Sequence, residues 1–179
     1  MKFDVYSIDN APEKSRATLE GVKQAYGFVP NLFGVFAESP AATQAYAAIG
    51  KALQSAGLNP VEQQVVFLSV SAENGCKYCV AAHSTIAKGV KMPDEVLAAL
   101  RNQDDLPDDR LQALAAFTRA VIQHRGWVPD EDLQAFVDAG FERRHVLDVL
   151  TIIAMKTLSN YTNHIAETPL DDAFSEQAW

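Results

Sequence analysis

Two absences narrow the class of protein first. The sequence has no run of about 18 consecutive apolar residues of the kind that crosses a bilayer. Its N-terminal segment, MKFDVYSIDNAPEK, lacks the apolar centre of a signal peptide. The sequence therefore predicts a protein that is not in a membrane and is not exported. We expect it to remain in the cytoplasm, where thiols are kept reduced.

Basic residues are also scarce. The chain has 15 Lys and Arg against 23 Asp and Glu, giving a formal net charge of −8. A field of this sign repels phosphate backbones and anionic lipids, so we expect no nucleic-acid partner and no membrane-surface partner. The remaining composition, 48% apolar and 21% charged over 179 residues, is typical of one globular domain. A single domain over 1–179 is therefore predicted.

Only two cysteines are present, and they form one C-x-x-C pair, Cys76 and Cys79. A structural disulfide is not expected in a reducing compartment. The pair therefore indicates redox chemistry, metal binding, or the coincidence of two small buried side chains.

Helix punctuation runs along almost the whole chain. Ser39 and Asn59 each precede a proline that can occupy the first helical position, and Glu62 lies three residues after Asn59, as in a capping box. Glycines fall where apolar periodicity stops, as at helix C-termini. The pattern predicts helices at 12–26, 40–56, 60–73, 76–88, 93–102, 108–125, 129–139 and 142–165, with a short turn at 30–37.

The segment 65–70 (VVFLSV) is the one candidate for a strand. Its capped start at Asn59 and its length up to Gly75 exceed those of a typical strand, and no second strand is available to pair with it. We therefore predict a buried helix here, and an all-α fold overall.

The most informative segment is 74–83, NGCKYCVAAH. At about 100° per residue, Cys79 lies about 300° and His83 about 340° round the helix from Cys76. The three side chains are thus expected on one narrow face, with Cys79 and His83 as an i, i+4 pair.

This arrangement suits an activated thiol in two ways. The thiolate is the nucleophile, and its pKa falls at a helix N-terminus, as at Cys76, or beside an imidazole, as at Cys79. We favour Cys79 as the attacking residue, because a positioned base can also move protons during the reaction. Its oxidised sulfur could then be resolved by Cys76 into a disulfide.

Other assignments of these residues remain open at this point. Cys76, Cys79 and His83 could be three ligands of a structural zinc, but such a site needs a fourth, and the other histidines (His124, His145 and His164) lie far along the chain. No metal is therefore predicted. Glu62 has a capping role as its simpler interpretation, whereas Glu73 is close enough in sequence to Cys76 to be a proton acceptor.

For the other histidines, His124 and His145 are interpreted as surface residues, and His164 as a core or interface residue. None is assigned a catalytic role.

The sequence resembles the carboxymuconolactone decarboxylase superfamily, and within it the alkylhydroperoxidase D-like (AhpD-like) branch. The core of the resemblance lies in 58–88 and is carried by 58–62 (LNPVE) and 74–83 (NGCKYCVAAH). It extends to the segments 29–33 (VPNLF), 39–41 (SPA), 160–164 (NYTNH) and 168–171 (TPLD).

The resemblance implies an all-α AhpD-like bundle, assembled as a trimer or hexamer, with thiol peroxidase activity and no cofactor. It implies that hydroperoxides are the substrate and that a dihydrolipoyl or thioredoxin-like protein reduces the disulfide. By the AhpD pattern, Cys79 attacks the peroxide, Cys76 resolves, and His83 belongs to a proton relay.

Two positions depart from the family pattern. The relay glutamate is replaced by Gln64, and a histidine before the second cysteine is replaced by Tyr78. Either Glu62 or Glu73 then substitutes for the glutamate, or the relay is weaker. Tyr78 is kept as a candidate catalytic residue, although a tyrosine ordinarily titrates near pH 10.

Three further functions are weighed against the peroxidase. The dithiol could act as a redox-sensing or interaction switch without turnover, or the chain could be a zinc-bound structural protein. A carboxymuconolactone decarboxylase activity is disfavoured, because the members with that activity lack this cysteine pair.

Overall fold

The computed structural model describes residues 2–179, which form nine α-helices and two short 3-10 helices and contain no strand. The predicted all-α fold is confirmed. The helices are α1 (Glu13–Tyr26), α2 (Asn31–Phe36), α3 (Pro40–Ala52), α4 (Pro60–Glu73), α5 (Lys77–Gly89), α6 (Asp94–Asn102), α7 (Asp109–Gln123), α8 (Asp130–Asp138) and α9 (Arg143–Ala166). The 3-10 helices are Leu53–Ser55 and Asp172–Gln177.

The predicted helices correspond to the observed ones with small shifts at their ends. The segment predicted as 40–56 ends as an α-helix at Ala52 and continues as the first 3-10 helix. The second 3-10 helix was not predicted, because a six-residue segment shows no helical periodicity. Pro93 and Pro129 stand at the N-cap positions of α6 and α8, one residue before the helices begin.

Helix α4 is the centre of the bundle. Most of its residues are buried, and it packs against α5, α6, α7 and α9. Its start is fixed by the predicted capping box, in which the Asn59 side chain accepts from Glu62 N and the Glu62 side chain accepts from Asn59 N, each at 2.9 Å. The segment 65–70 is a wholly helical part of α4. A helix surrounded on all sides needs apolar residues all round, which explains its strand-like sequence.

One histidine assignment was wrong. His145 was interpreted as a surface residue, but it is buried at the third position of α9, where its Nδ1 accepts from Glu142 N at 2.8 Å. The imidazole satisfies a backbone N–H at the start of the helix that would otherwise have no partner. His124 is exposed, as predicted. His164 is also exposed, which excludes a core position, so only its interpretation as an interface residue stays a prediction.

Among residues 2–179, none of the helices combines the length and the apolar character needed to cross a membrane.

Candidate active site

The turn between α4 and α5 places the two cysteines. Gly75 has φ +66°, its N–H donates to Ala72 O at 2.9 Å, and Cys76 N–H donates to Ser71 O at 2.8 Å. This is a Schellman motif, in which a left-handed glycine ends one helix and reverses the chain. Because α5 begins at Lys77, Cys76 is its N-cap and Cys79 lies in its first turn.

Both cysteines are free and almost fully buried, with exposed fractions of 1% and 2%. Their side chains lie 3.3 Å apart, which is the predicted meeting of positions three apart in a first helical turn. This proximity allows a disulfide to form with little movement of the backbone.

Helix α9 supplies polar partners that sequence reasoning did not assign. Asn163 Nδ2 lies 3.2 Å from Cys79 Sγ and 3.9 Å from Cys76 Sγ, and Ser159 Oγ lies 3.9 Å from Cys79 Sγ. Asn160 Oδ1 accepts from Asn74 Nδ2 at 2.9 Å and so ties the turn before the cysteines to α9. The amide of Asn163 can donate to either sulfur.

Lys156 lies on the same face of α9 and is fully buried. Its Nζ has no hydrogen-bond partner among residues 2–179. The signal that could have identified these four residues (Lys156, Ser159, Asn160 and Asn163) is their i, i+3, i+4, i+7 spacing. Residues at that spacing share one face of a helix, so these four polar side chains point in the same direction.

The two thiols differ in their tendency to ionise. Burial alone would raise the pKa of Cys79, but the hydrogen bond from Cys76, the positive charge of Lys156 and the amide of Asn163 hold it well below its ordinary value. The pKa of Cys76 is raised, because its thiol donates to Cys79 and is buried. The opposite directions of the two pKa shifts favour a Cys79 thiolate beside a Cys76 thiol.

The His83 side chain of α5 packs against α4, where it contacts Gln64 and Phe67. Gln64 Oε1 lies 2.9 Å from His83 Nδ1, and the imidazole stacks on the Phe67 ring with centroids 4.3 Å apart. An amide oxygen can only accept, so Nδ1 carries the proton and Nε2 remains as a base. Burial and then the charge of Lys156 hold the pKa of His83 well below its ordinary value. The imidazole is therefore neutral near pH 7.

The expected pairing of His83 with Cys79 is not a hydrogen bond. No such bond joins them within the described chain, and the partners of the Cys79 sulfur come from Cys76 and α9 instead. Helical spacing correctly put the imidazole and the thiol on one face of α5, but burial against Phe67 turns the ring toward Gln64.

Neither of the two candidate carboxylates is hydrogen-bonded to His83 in the structure. Both oxygens of Glu62 are occupied, one by the Asn59 N–H and the other by Arg110 Nε at 3.0 Å. Glu62 lies two residues before Gln64, about 200° away round α4, so it cannot face the same imidazole. Glu73 accepts from Gln123 Nε2 on α7 at 3.0 Å. The family position is occupied by Gln64 itself.

Tyr78 is held in a network that anchors the C-terminal segment. Its hydroxyl donates to Asp171 Oδ2 at 2.5 Å and accepts from the Leu32 N–H at 3.3 Å. Asp171 also accepts from Asn31 N at 3.0 Å, at the start of α2. Burial and the Asp171 carboxylate raise the pKa of Tyr78, so the phenol stays protonated. Its observed contacts are those of an anchor between α5, α2 and the C-terminal segment.

A cavity of about 840 Å³ is lined in part by Tyr78 and His83 of α5, whereas neither cysteine is among its lining residues. The lining also includes Tyr46, Phe67 and the uncharged amides of Gln54, Gln63 and Gln64, and most of the other lining residues are aliphatic or aromatic. No Asp, Glu, Lys or Arg lines it. The size suits a small organic molecule, and the lining suits an uncharged one. Within residues 2–179, no group of three His, Cys, Asp or Glu side chains is placed to hold a metal ion.

The charge states predict how the stability of the reduced protein depends on pH. Between its lowered pKa and about 8.5, Cys79 is ionised in the folded state and protonated in the unfolded state. Below about pH 6.5, His83 stays neutral in the folded state, whereas the imidazole of the unfolded state gains a proton. The unfolded state therefore binds more protons, and stability falls as the pH is lowered from 8 to 6.

We expect a loss of up to about 1.4 kcal/mol per pH unit from each group within its own window. Urea unfolding of the reduced protein at a series of pH values measures this slope. In Cys79→Ser the part between pH 8 and 6.5 should disappear. An unchanged slope in that variant would show that Cys79 is not ionised in the folded state.

The comparisons with known proteins agree with this geometry. The model of the carboxymuconolactone decarboxylase family matches residues 40–121, which contain the dithiol and His83. No curated protein matches the chain in sequence. The fold is AhpD-like, and the part of the chain that contains the dithiol is similar to the carboxymuconolactone decarboxylase family.

Several solved structures share the fold over nearly the whole chain. A peroxidase-related protein of Ralstonia eutropha JMP134, described as an alkylhydroperoxidase AhpD core, is 28% identical, with 97% of this chain and 93% of that chain covered and a TM-score of 0.84. A peroxidase-related protein of Silicibacter sp. TM1040 is 18% identical, covering 97% and 95%, with a TM-score of 0.80. The debrominase Bmp8, in complex with 2,3,4-tribromopyrrole, is 17% identical, covering 97% of each chain, with a TM-score of 0.77. At these lower identities the likeness is one of fold.

Proposed function

We propose that the protein is a thiol-dependent peroxidase that reduces organic hydroperoxides through Cys79 and Cys76. The single observation that carries the proposal is the buried pair of thiols 3.3 Å apart, with the Asn163 amide donating to the Cys79 sulfur. A low-pKa thiolate next to a protonated thiol is what a two-cysteine peroxidase requires.

In the first step the Cys79 thiolate attacks the terminal oxygen of the hydroperoxide. An S–O bond forms and the O–O bond breaks, so that Cys79 becomes a sulfenic acid and the substrate leaves as an alkoxide. The alkoxide takes up one proton from solvent to become the alcohol. His83 lines the cavity and has its Nδ1 fixed by Gln64, so its free Nε2 can accept that proton from solvent and pass it to the leaving oxygen.

In the second step the Cys76 sulfur attacks the Cys79 sulfur. The S–O bond breaks, the Cys76 proton and the hydroxyl leave as water, and the Cys76–Cys79 disulfide remains. Two electrons and two protons from an external dithiol then restore the reduced pair by thiol–disulfide exchange. We propose a dihydrolipoyl or thioredoxin-like protein as that donor.

The cavity supports an organic rather than an ionic substrate. Its lining carries no formal charge, and the neutral amide of Gln64 stands where a carboxylate is expected from the family pattern. A charged substrate would lose its hydration there without gaining an ion pair. We therefore propose that the substrate is an uncharged, largely apolar hydroperoxide.

A steady-state assay with cumene hydroperoxide and dihydrolipoamide or dithiothreitol tests this function. We expect many turnovers per protein chain. We also expect kcat/KM for cumene hydroperoxide to be about tenfold or more above that for a carboxylate-bearing hydroperoxide of similar size, because the carboxylate would be left without a partner of opposite charge. A single stoichiometric oxidation without turnover would contradict the peroxidase and indicate a redox switch.

A further inference from the structure

Lys156 is a buried cation without a carboxylate. It is fully buried, whereas the two ion pairs among residues 2–179, Arg110–Glu62 and Arg144–Glu142, involve other residues. Its Nζ also has no hydrogen-bond partner in that part of the chain. Removing an ammonium from water is costly unless a charge of opposite sign compensates for it. The site therefore calls for an anion that is not an aspartate or a glutamate.

The surroundings of Lys156 identify that anion. Ser159 and Asn163 lie one and two turns further along the same face of α9, and both contact the Cys79 sulfur. On the other side, Lys156 Nζ is 5.9 Å from the centre of the Phe67 ring, on which His83 stacks. Lys156 thus belongs to the cluster that surrounds the dithiol, and a thiolate is the anion which that cluster can hold.

We propose that Lys156 is the counter-cation of the Cys79 thiolate, and that it keeps Cys79 ionised independently of His83. This inference rests on the proposed function, because it assigns a further residue to the same reaction. Two roles are then divided between two groups. Lys156 keeps the Cys79 thiol ionised, and His83, held by Gln64, transfers a proton to the leaving oxygen of the peroxide.

The other titratable groups around the dithiol leave this division intact. From α5, His83 is neutral and Tyr78 keeps its proton on a hydrogen bond to Asp171; from α3, burial first and then the nearby Cys79 raise the pKa of Tyr46. Helix α4 presents the uncharged Gln64. The positive charge of Lys156 therefore faces neutral groups and the thiolate.

Oxidation removes the partner of Lys156. In the disulfide neither sulfur carries a charge, so the buried ammonium stands without an anion. The reduced form is stabilised relative to the oxidised form, as in other proteins whose low-pKa thiolate makes the disulfide a strong oxidant. Lys156 should therefore make the Cys76–Cys79 disulfide easier to reduce, which favours the return step of the cycle.

The test is Lys156→Met, which keeps an unbranched side chain of similar length and removes the charge. The matched control is Lys51→Met, which makes the same change in net charge at an exposed position. Thiolate formation in the reduced proteins is followed by absorbance at 240 nm and by the rate of iodoacetamide alkylation against pH. Neither readout requires peroxide turnover.

We expect the ionisation midpoint of Cys79 to rise by more than one pH unit in Lys156→Met, about tenfold in the ionisation constant, and to stay unchanged in Lys51→Met. Equilibration with glutathione should also shift at least about tenfold toward the disulfide, since the thiolate that favoured reduction is lost. A purely structural role of Lys156 would move neither value. If Lys156→Met does not fold, Lys156→Gln serves the same comparison.

An unchanged midpoint in either folded variant would overturn the inference. The outcome is separable from that of the proposed function. A shifted midpoint in a protein without peroxide turnover would leave Lys156 as the counter-cation and remove the peroxidase. An unshifted midpoint in an active peroxidase would keep the peroxidase and remove Lys156 as the counter-cation.

Discussion

Replacing Cys79 by serine is expected to abolish peroxide-dependent turnover, with a loss in kcat/KM of at least about 10³-fold. A serine hydroxyl is not ionised at neutral pH, and no adjacent base activates it here, because His83 is hydrogen-bonded to Gln64 rather than to position 79. The measurement is the steady-state rate of hydroperoxide loss with excess dithiothreitol. The substitution removes a single sulfur from the core, so the fold should persist.

The matched control is Cys76→Ser, which changes the neighbouring sulfur in the same way. This variant should still consume one equivalent of hydroperoxide per chain, because Cys79 retains Lys156 and Asn163. Its sulfenic acid cannot be resolved internally, so turnover then depends on direct attack by the external thiol. Full activity in Cys79→Ser, or a complete loss of the first equivalent in Cys76→Ser, would reverse the assigned roles.

Replacing His83 by phenylalanine should lower kcat/KM by about 10²-fold while Cys79 remains ionised. Phenylalanine can keep the stacking on Phe67, but it removes the nitrogen that serves the leaving oxygen. The two quantities are measured separately, as peroxidase rate and as iodoacetamide alkylation against pH. The neutral imidazole contributes no positive charge to the thiolate, so the alkylation profile should keep its midpoint.

The result that would contradict this division of labour is a loss of Cys79 ionisation in His83→Phe. In that case the imidazole, and not Lys156, would be the group that maintains the thiolate. Gln64→Leu provides the matched control, because it leaves the imidazole in place and removes the acceptor that fixes Nδ1.

Sequence alone could predict the fold because local signals agree with tertiary structure along nearly the whole chain. The capping box at Asn59 and Glu62 and the Schellman glycine at position 75 mark the helix ends at which the structure also begins or ends its helices. The C-x-x-C pair, in the first turn of α5, could be placed from helical phase alone. These features depend on residues that are close in sequence.

The groups on α9 were not predicted, because their contacts with the cysteines span about 80 residues of chain. Asn163 and Ser159 meet Cys79 only after α9 packs against α4 and α5. Lys156 is misleading in sequence for a further reason. A lysine in a helix normally lies on the surface, and its full burial becomes evident only from the packing.

The replacement of the relay glutamate by Gln64 has a physical consequence. A carboxylate beside His83 would raise the pKa of the imidazole and would place a negative charge near Lys156. The amide adds no charge, so burial and the charge of Lys156 keep His83 neutral. In the proposed arrangement the group that keeps the thiolate ionised is therefore Lys156 on α9, and no carboxylate on α4 is needed for that role.

The most direct test of the central claim, that Cys79 is the attacking thiolate and Cys76 resolves it, is mass spectrometry after one equivalent of cumene hydroperoxide in the presence of dimedone. We predict a Cys76–Cys79 disulfide in the unsubstituted protein and a dimedone adduct on Cys79 in Cys76→Ser. An adduct on Cys76 in Cys79→Ser, with none on Cys79 in Cys76→Ser, would contradict the account.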